Sequence, residues 1–200
     1  ESVSVVIPCR NEAKHIVRCL DSVVANGFPE DRLEIIVVDG DSTDGTTRIV
    51  ADYAGWHPNV RLIRNPKRLI PAALNLGIQS ARHEFILRLD AHSALEPGYI
   101  TACLRCLRQR TAERVGGSLE TRPQEDTPLG RAIALALSAP FGVGDSMFRR
   151  PGRTETPLLV DTIPFWCCHR SLFEKAGIFD ERMLASEDME FSLRLKRLGI

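Results

Sequence analysis

The feature that most constrains this chain is a regular alternation over its first half, in which short β-branched runs end in polar turns and lead into stretches with helical apolar spacing. Ser2 to Pro8 (SVSVVIP) reads as a strand closed by proline. Glu12 to about Ala25 reads as a helix, with Ile16, Val17, Leu20, Val23 and Val24 on its apolar face. Leu33 to Val38 is a second strand ended by Asp39. The turn Ser42-Thr43-Asp44-Gly45 offers hydroxyls that can cap a helix running to about Ala54. Asn59 to Ile63 is a third strand, Pro71 to Arg82 a third helix, and Glu84 to Leu89 a fourth strand stopping at Asp90. Strands and helices joined this tightly form βαβ units, so the fold class is α/β with a mostly parallel, Rossmann-like central sheet flanked by helices. In such a sheet a ligand sits outside the carboxyl ends of the strands, where Asp39 and Asp90 stand.

Beyond Asp90 the pattern loosens. Helices are expected over Pro97 to Arg110, Pro128 to Ser138, Arg170 to Ala176 and Glu187 to Leu198, and strands over Val115 to Leu119 and Leu158 to Cys168. Phe141 to Pro157 has no periodicity and carries Arg149, Arg150 and Arg153. It reads as a mobile surface loop that could order over a bound anion. The 200 residues form one domain, with residues 1–95 as its ligand-binding half and 96–200 as a second half. The chain starts at Glu1 and stops at Ile200 directly after an amphipathic stretch, so we expect a longer protein around it, truncated at the C-terminus.

Charge narrows the partners. Lys plus Arg and Asp plus Glu both number 26, so no global field draws the chain to nucleic acid or an anionic membrane. No apolar run reaches the roughly twenty residues of a membrane span, and no secretion signal opens the chain. Six cysteines, several within apolar runs, suggest reduced thiols in a cytoplasmic compartment. Cys103 and Cys106 form a C-x-x-C, but with no second pair nearby they read as helix-core residues rather than a zinc or redox pair.

Three constellations could carry chemistry. Asp39 could accept hydrogen bonds from a nucleoside, or serve only the backbone N–H groups of its turn. Asp90 and His92, two residues apart past a strand end, could offer an oxygen and a nitrogen to Mn²⁺ or Mg²⁺, or form an ordinary capped loop. Glu187 and Asp188 open the last helix, where the dipole favours carboxylates, and one of them could equally be a general base. A nicotinamide-dependent dehydrogenase is disfavoured, because the turn Pro8-Cys9-Arg10-Asn11-Glu12 lacks the G-x-G-x-x-G fingerprint.

Five motifs in order bring a resemblance. VVIPCRNE, VVDGDSTDGT, the A-x-N-x-G of Ala73, Asn75 and Gly77, LRLDAHS and SEDMEFSLRL together make the chain similar, from about Val3 to Leu198, to family 2 glycosyltransferases of the GT-A fold. AIALALSAPFGVGDSMFRR and VDTIPFWCCHRSLFEKAGIFDERM more narrowly resemble glucosyltransferases of succinoglycan-type exopolysaccharide assembly. The resemblance implies an inverting, metal-dependent hexosyltransferase using a nucleoside diphosphate sugar, UDP-sugar favoured, with a saccharide or lipid-linked saccharide acceptor. A nucleotide-sugar-binding module with impaired catalysis is the alternative. It implies Asp188 as catalytic base supported by Glu187, and a substrate-binding set of Pro8, Arg10, Glu12, Asp39, Asp41, Lys67, Asn75 and Asp90. It further implies Mn²⁺ or Mg²⁺ at Asp90 and His92, and a cytoplasmic place at the inner face of a bacterial plasma membrane, reached through segments outside this chain. Two departures stand: Asp39-Gly40-Asp41-Ser42 replaces the usual D-D-G-S, and Asp90-x-His92 replaces D-x-D.

Overall fold

The computed structural model describes residues 1–109, 112–123, 126–139, 147–149, 158–160 and 162–200. Its elements run β1 (Val3–Cys9), α1 (Ile16–Val24), β2 (Leu33–Asp39), α2 (Thr46–Trp56), β3 (Val60–Arg64), α3 (Ile70–Ser80), β4 (Phe85–Arg88), α4 (Tyr99–Arg108), β5 (Arg114–Gly116), α5 (Pro128–Ala136), β6 (Trp166–His169), α6 (Ser171–Ala176) and α7 (Glu187–Arg197). The sheet order is β3-β2-β1-β4-β6-β5, parallel across the first four strands and antiparallel at β4–β6 and β6–β5.

Helices cover both faces, which is why β2 is buried at all seven positions instead of alternating. On one face, Ile16, Leu20 and Val23 of α1, Val50 of α2, and Ile100 and Leu104 of α4 pack on Val5, Ile35, Val37 and Leu87. On the other, Leu74 and Ile78 of α3, Phe173 of α6 and Phe191 of α7 pack on Val6, Ile36, Val38 and Ile86. Trp166, Phe173, Phe179 and Phe191 form one aromatic cluster there, with Phe179 and Phe191 centroids 4.8 Å apart. That cluster seats the middle of α7 against the sheet.

Two members of the A-x-N-x-G motif serve this packing. A Cβ on Gly77 would come within 2.3 Å of Val6 Cγ1, so only glycine lets α3 lie this close to β1. Asn75, itself buried, donates to the Phe179 carbonyl and accepts from the Phe179 N–H, both at 2.9 Å, tying α3 to the segment that leads into α7.

The structure moves several expected boundaries. α1 begins at Ile16 rather than Glu12, because Glu12 to His15 form a turn in which the Glu12 carbonyl accepts from the N–H groups of His15 and Ile16. The run 158–168 does not continue as a strand: pairing is confined to Trp166–His169, just past Pro164, which has no N–H to give a ladder. The hydroxyls of the second turn do not cap α2. Ser42 and Thr46 instead accept from the N–H groups of Asn11 and Glu12, at 2.8 Å each, and so stitch the β2–α2 turn to the β1–α1 turn. Of the expected loop at 141–157, only Met147–Arg149 is described, as one 3-10 turn with Arg149 over the Phe148 ring; Arg150 and Arg153 lie outside the described residues.

Candidate active site

The chain passes from β1 to β2 on one side and returns to β4 on the other, so the crevice between the carboxyl ends of β1 and β4 is the point where strand order reverses. A cleft opens there, lined by Pro8, Arg10 and Glu12 after β1, Gly40 after β2, Asn65, Arg68 and Ala73 around the start of α3, and Arg88, Asp90 and His92 at the end of β4. Its volume is about 190 Å³, below the roughly 300 Å³ of a small-molecule pocket. It can hold part of a nucleotide, and the rest of such a ligand would lie across the open rim. A larger depression lined by Glu34, Arg61 and Arg82 lies at the opposite ends of the strands, where Glu34 is already paired with Arg61 and with the Arg82 N–H.

Local backbone strain gathers around the cleft. The four non-glycine residues with positive φ among the described residues are Asn11, Asp41, Arg68 and Ser186, with φ between 55° and 62°. They stand in the turns after β1 and β2, before α3 and before α7. Such conformations cost on the order of 1 kcal/mol or more each and collect where a site must be shaped.

At the centre sits a residue that the sequence reading passed over. Arg88, the last residue of β4, is only 5% exposed. Its Nη1 donates to Asp188 Oδ2, and its Nη2 lies 3.2 Å from Asp90 Oδ1 and 3.4 Å from Glu187 Oε1. Burial pulls against its charge, but the three carboxylates outweigh burial and push its pKa above the usual guanidinium value. Thus Asp90, Glu187 and Asp188, about a hundred residues apart in sequence, meet on one guanidinium. Glu187 and Asp188 therefore face a shared cation, not one another. The only sequence signal for this was a lone arginine in the apolar strand Phe85 to Leu89, a cation that must find partners when buried.

Other expected residues separate into two groups. Pro8, Arg10, Glu12, Asp90 and His92 all line the cleft. His92 points its Nδ1 at Glu12 Oε1, 3.0 Å away, which leaves Nε2 as the ring nitrogen without that partner. Asp39 is 2% exposed, and its oxygens accept from the Ser42 hydroxyl and N–H and the Thr47 hydroxyl, the role of a turn aspartate. Asp41 is held by Arg64 at 2.6 Å and Arg68 at 3.2 Å, which keep its carboxyl below the usual range. Lys67 pairs with Glu181, and Asn75 is consumed by Phe179.

Asp188 Oδ1 is shielded from solvent and has no hydrogen-bond partner among the described residues. Its lone pairs are free of protein donors, and an acceptor hydroxyl has to displace the cover over this oxygen to reach them. Behind it, Arg114 donates to the Ser192 hydroxyl at 2.7 Å and lies 5.9 Å from the Phe191 centroid. Burial draws Arg114 below its usual pKa, and Asp188 opposes that shift.

Comparison with known proteins gives the family and the fold. The family model described as "Glycosyl transferase family 2" matches residues 4–178. The chain is 28% identical to the succinoglycan biosynthesis protein ExoA of Rhizobium meliloti over 98% of its own length and 58% of that protein. It is 30% identical to glycosyltransferase AglE of Haloferax volcanii over 98% of its length and 62% of that protein. The chain therefore spans about three fifths of these relatives. Among solved structures, S. aureus TarS 1-349 in complex with UDP superposes with a TM-score of 0.73 at 20% identity, covering 96% of this chain and 54% of that one. The mannosyltransferase PcManGT of Pyrobaculum calidifontis, in complex with GDP-Man and Mn²⁺, gives 0.70 at 24% identity over 98% and 52%. Both likenesses confirm the expected GT-A fold.

Proposed function

Because the chain belongs to glycosyl transferase family 2, we propose that it is the catalytic part of an inverting hexosyltransferase in bacterial polysaccharide biosynthesis. The donor is a UDP-sugar and the acceptor a saccharide or lipid-linked saccharide. The observation that carries the reading is that Asp90, on the wall of the cleft at the strand-order reversal, and Asp188 share Arg88, which lines the same cleft. The name of ExoA supports the polysaccharide setting, and the UDP in the TarS structure supports the donor. Residues 1–95 form the donor half and 96–200 the half that carries the base. No helix among the described residues is long and apolar enough to cross a membrane. Contact with the inner membrane face belongs to segments outside this chain.

The residues at hand suit a divalent cation shared with the donor. Asp90 offers a part-exposed carboxylate and His92 an imidazole on the same cleft wall, a mixed set that Mn²⁺ accepts. Among the described residues no group of three His, Cys, Asp or Glu side chains gathers to hold a metal, so Asp90 and His92 would hold the ion on the protein's side. The bound ion would offset the negative charge of the departing diphosphate.

The protein's own groups then have defined tasks. Pro8, Arg10 and Glu12 shape the cleft wall that positions the nucleotide. Asp188 Oδ1 accepts the proton of the acceptor hydroxyl as that oxygen bonds to the anomeric carbon from the face opposite the diphosphate. The carbon–oxygen bond to the diphosphate breaks, its electron pair leaves with the diphosphate, and the configuration inverts.

The test is turnover of a UDP-hexose, with the anomeric configuration of the product read by proton NMR. Asp188→Asn is expected to abolish turnover apart from a small residual rate measurable at high enzyme concentration, and to leave UDP binding nearly intact. Near-wild-type turnover in that variant contradicts the assignment, and donor binding without turnover in the wild type identifies a binding module instead.

A further inference from the structure

We propose that Arg88 is a positioning residue for the transfer step: its buried guanidinium ties Asp90 on the donor side to Glu187 and Asp188 on the acceptor side, fixing the base relative to the bound diphosphate. The proposal rests on the reading of Asp188 as the base.

Three observations carry it. Arg88 belongs to a strand whose other residues, Phe85, Ile86 and Leu87, are buried and apolar, and Arg88 itself is buried in register with Val6 of β1. A cation there is costly unless it is paired, and an aliphatic side chain would serve the core alone. Second, both terminal nitrogens of the planar fork are used: Nη1 takes Asp188, and Nη2 is shared by Asp90 and Glu187, while the buried Nε has no partner among the described residues. A lysine ammonium supplies the same charge but not this spread of donors. Third, α7 is anchored on its far side by Phe191 and Leu195 in the aromatic core, so its first turn needs a separate tie to the cleft. The Arg88 fork is that tie.

A core-filling arginine and a positioning arginine differ in how they couple to Asp188. Wild type, Arg88→Lys, Asp188→Asn and the double variant are compared for thermal melting, for binding of UDP with Mn²⁺ by calorimetry, and for UDP-glucose turnover read as UDP release. Arg88→Lys is expected to bind UDP within about threefold of wild type and to lose turnover by about a hundredfold through kcat, with KM for UDP-glucose little changed. In the Asp188→Asn background the same substitution is expected to cost less than about threefold more, since neighbours acting as one unit are not additive. Near-wild-type turnover in Arg88→Lys overturns the proposal. So does a double variant whose losses multiply in full.

Near-wild-type turnover in Asp188→Asn, a protein that keeps Arg88, instead overturns the base assignment, so the two failures are told apart. A second measurement needs no Arg88 variant. Nitrogen NMR of the arginine side chains is expected to resolve separate Nη signals for Arg88 in the wild type, because its rotation is hindered, and to show them merged in Asp188→Asn. Merged signals in the wild type overturn the clamp.

Discussion

Glu12 Oε1 lies 3.0 Å from Nδ1 of His92, joining the turn after β1 to the turn after β4 across the mouth of the cleft. A carboxylate at Nδ1 places the ring proton there and leaves the Nε2 lone pair for a metal, the arrangement commonly found behind ligating histidines. His92→Ala is expected to weaken the Mn²⁺ dependence of UDP binding. Glu12→Ala should weaken it about tenfold. Calorimetric metal titrations in the presence of UDP check both, and unchanged titrations would return His92 to a solvated loop residue.

Gly77 predicts a stability effect remote from chemistry. Gly77→Ala drives a methyl to within 2.3 Å of Val6 Cγ1, in a buried place with no flexible side-chain end to yield. A loss of about 1–3 kcal/mol is expected, or roughly 3–10 °C in melting temperature for a domain of this size. Val6→Ala in the same protein should recover part of it. A melt unchanged by Gly77→Ala would mean that α3 does not lie this close to β1.

Acid should unfold the protein partly through Glu34. Burial works to raise the pKa of this carboxyl, but the Arg82 N–H, the Ser4 hydroxyl and Arg61 outweigh burial and hold it below its usual value of 4.5. A depressed folded pKa means stability that is present above about pH 4.5 and lost as pH falls through the lower folded value. Glu34→Gln should therefore be less stable than wild type near neutrality, with the gap closing under acid. Denaturant melts at pH 7 and pH 3.5 check this, and a constant gap would contradict it.

The cysteines divide by exposure. All six are free, and only Cys106 is not buried. Burial pushes the Cys103 thiol up to about 12 and raises those of Cys9, Cys19, Cys167 and Cys168 above the ordinary thiol range. Since the thiolate is the reactive form, a thiol reagent is expected to modify Cys106 alone in the folded protein. Rapid modification of both Cys103 and Cys106 would revive the C-x-x-C as a redox pair.

The parallel core was legible because its signals are local: β-branched runs closed by Pro8 or Asp39, and helical faces such as Ile16, Leu20 and Val23. Asp90 and His92, just past β4, line the cleft as their place at a strand end suggested, whereas Pro8, Arg10 and Glu12, which line it too, were expected only from the resemblance. Tertiary pairing was not legible. Asp39 bonds within its own turn and to Thr47, the local role that the sequence left open, but Arg64 and Arg68 take up the oxygens of Asp41, and nothing in the local sequence names those partners. Asn75 and Gly77 carry a motif that resembles a binding signature, while the structure uses them to seat α3 and the segment before α7. Arg88 was hidden for the same reason: its three carboxylates come from the β4 turn and from a helix a hundred residues away.

The most direct test of the central claim, a metal-assisted nucleotide-sugar site between β1 and β4, is calorimetric titration with UDP and with GDP, each with and without Mn²⁺, on wild type and Asp90→Asn. Manganese-dependent binding of UDP, weaker binding of GDP, and loss of the manganese dependence in Asp90→Asn are the expected results. Binding of neither nucleotide, or UDP binding whose manganese dependence survives in Asp90→Asn, would contradict it.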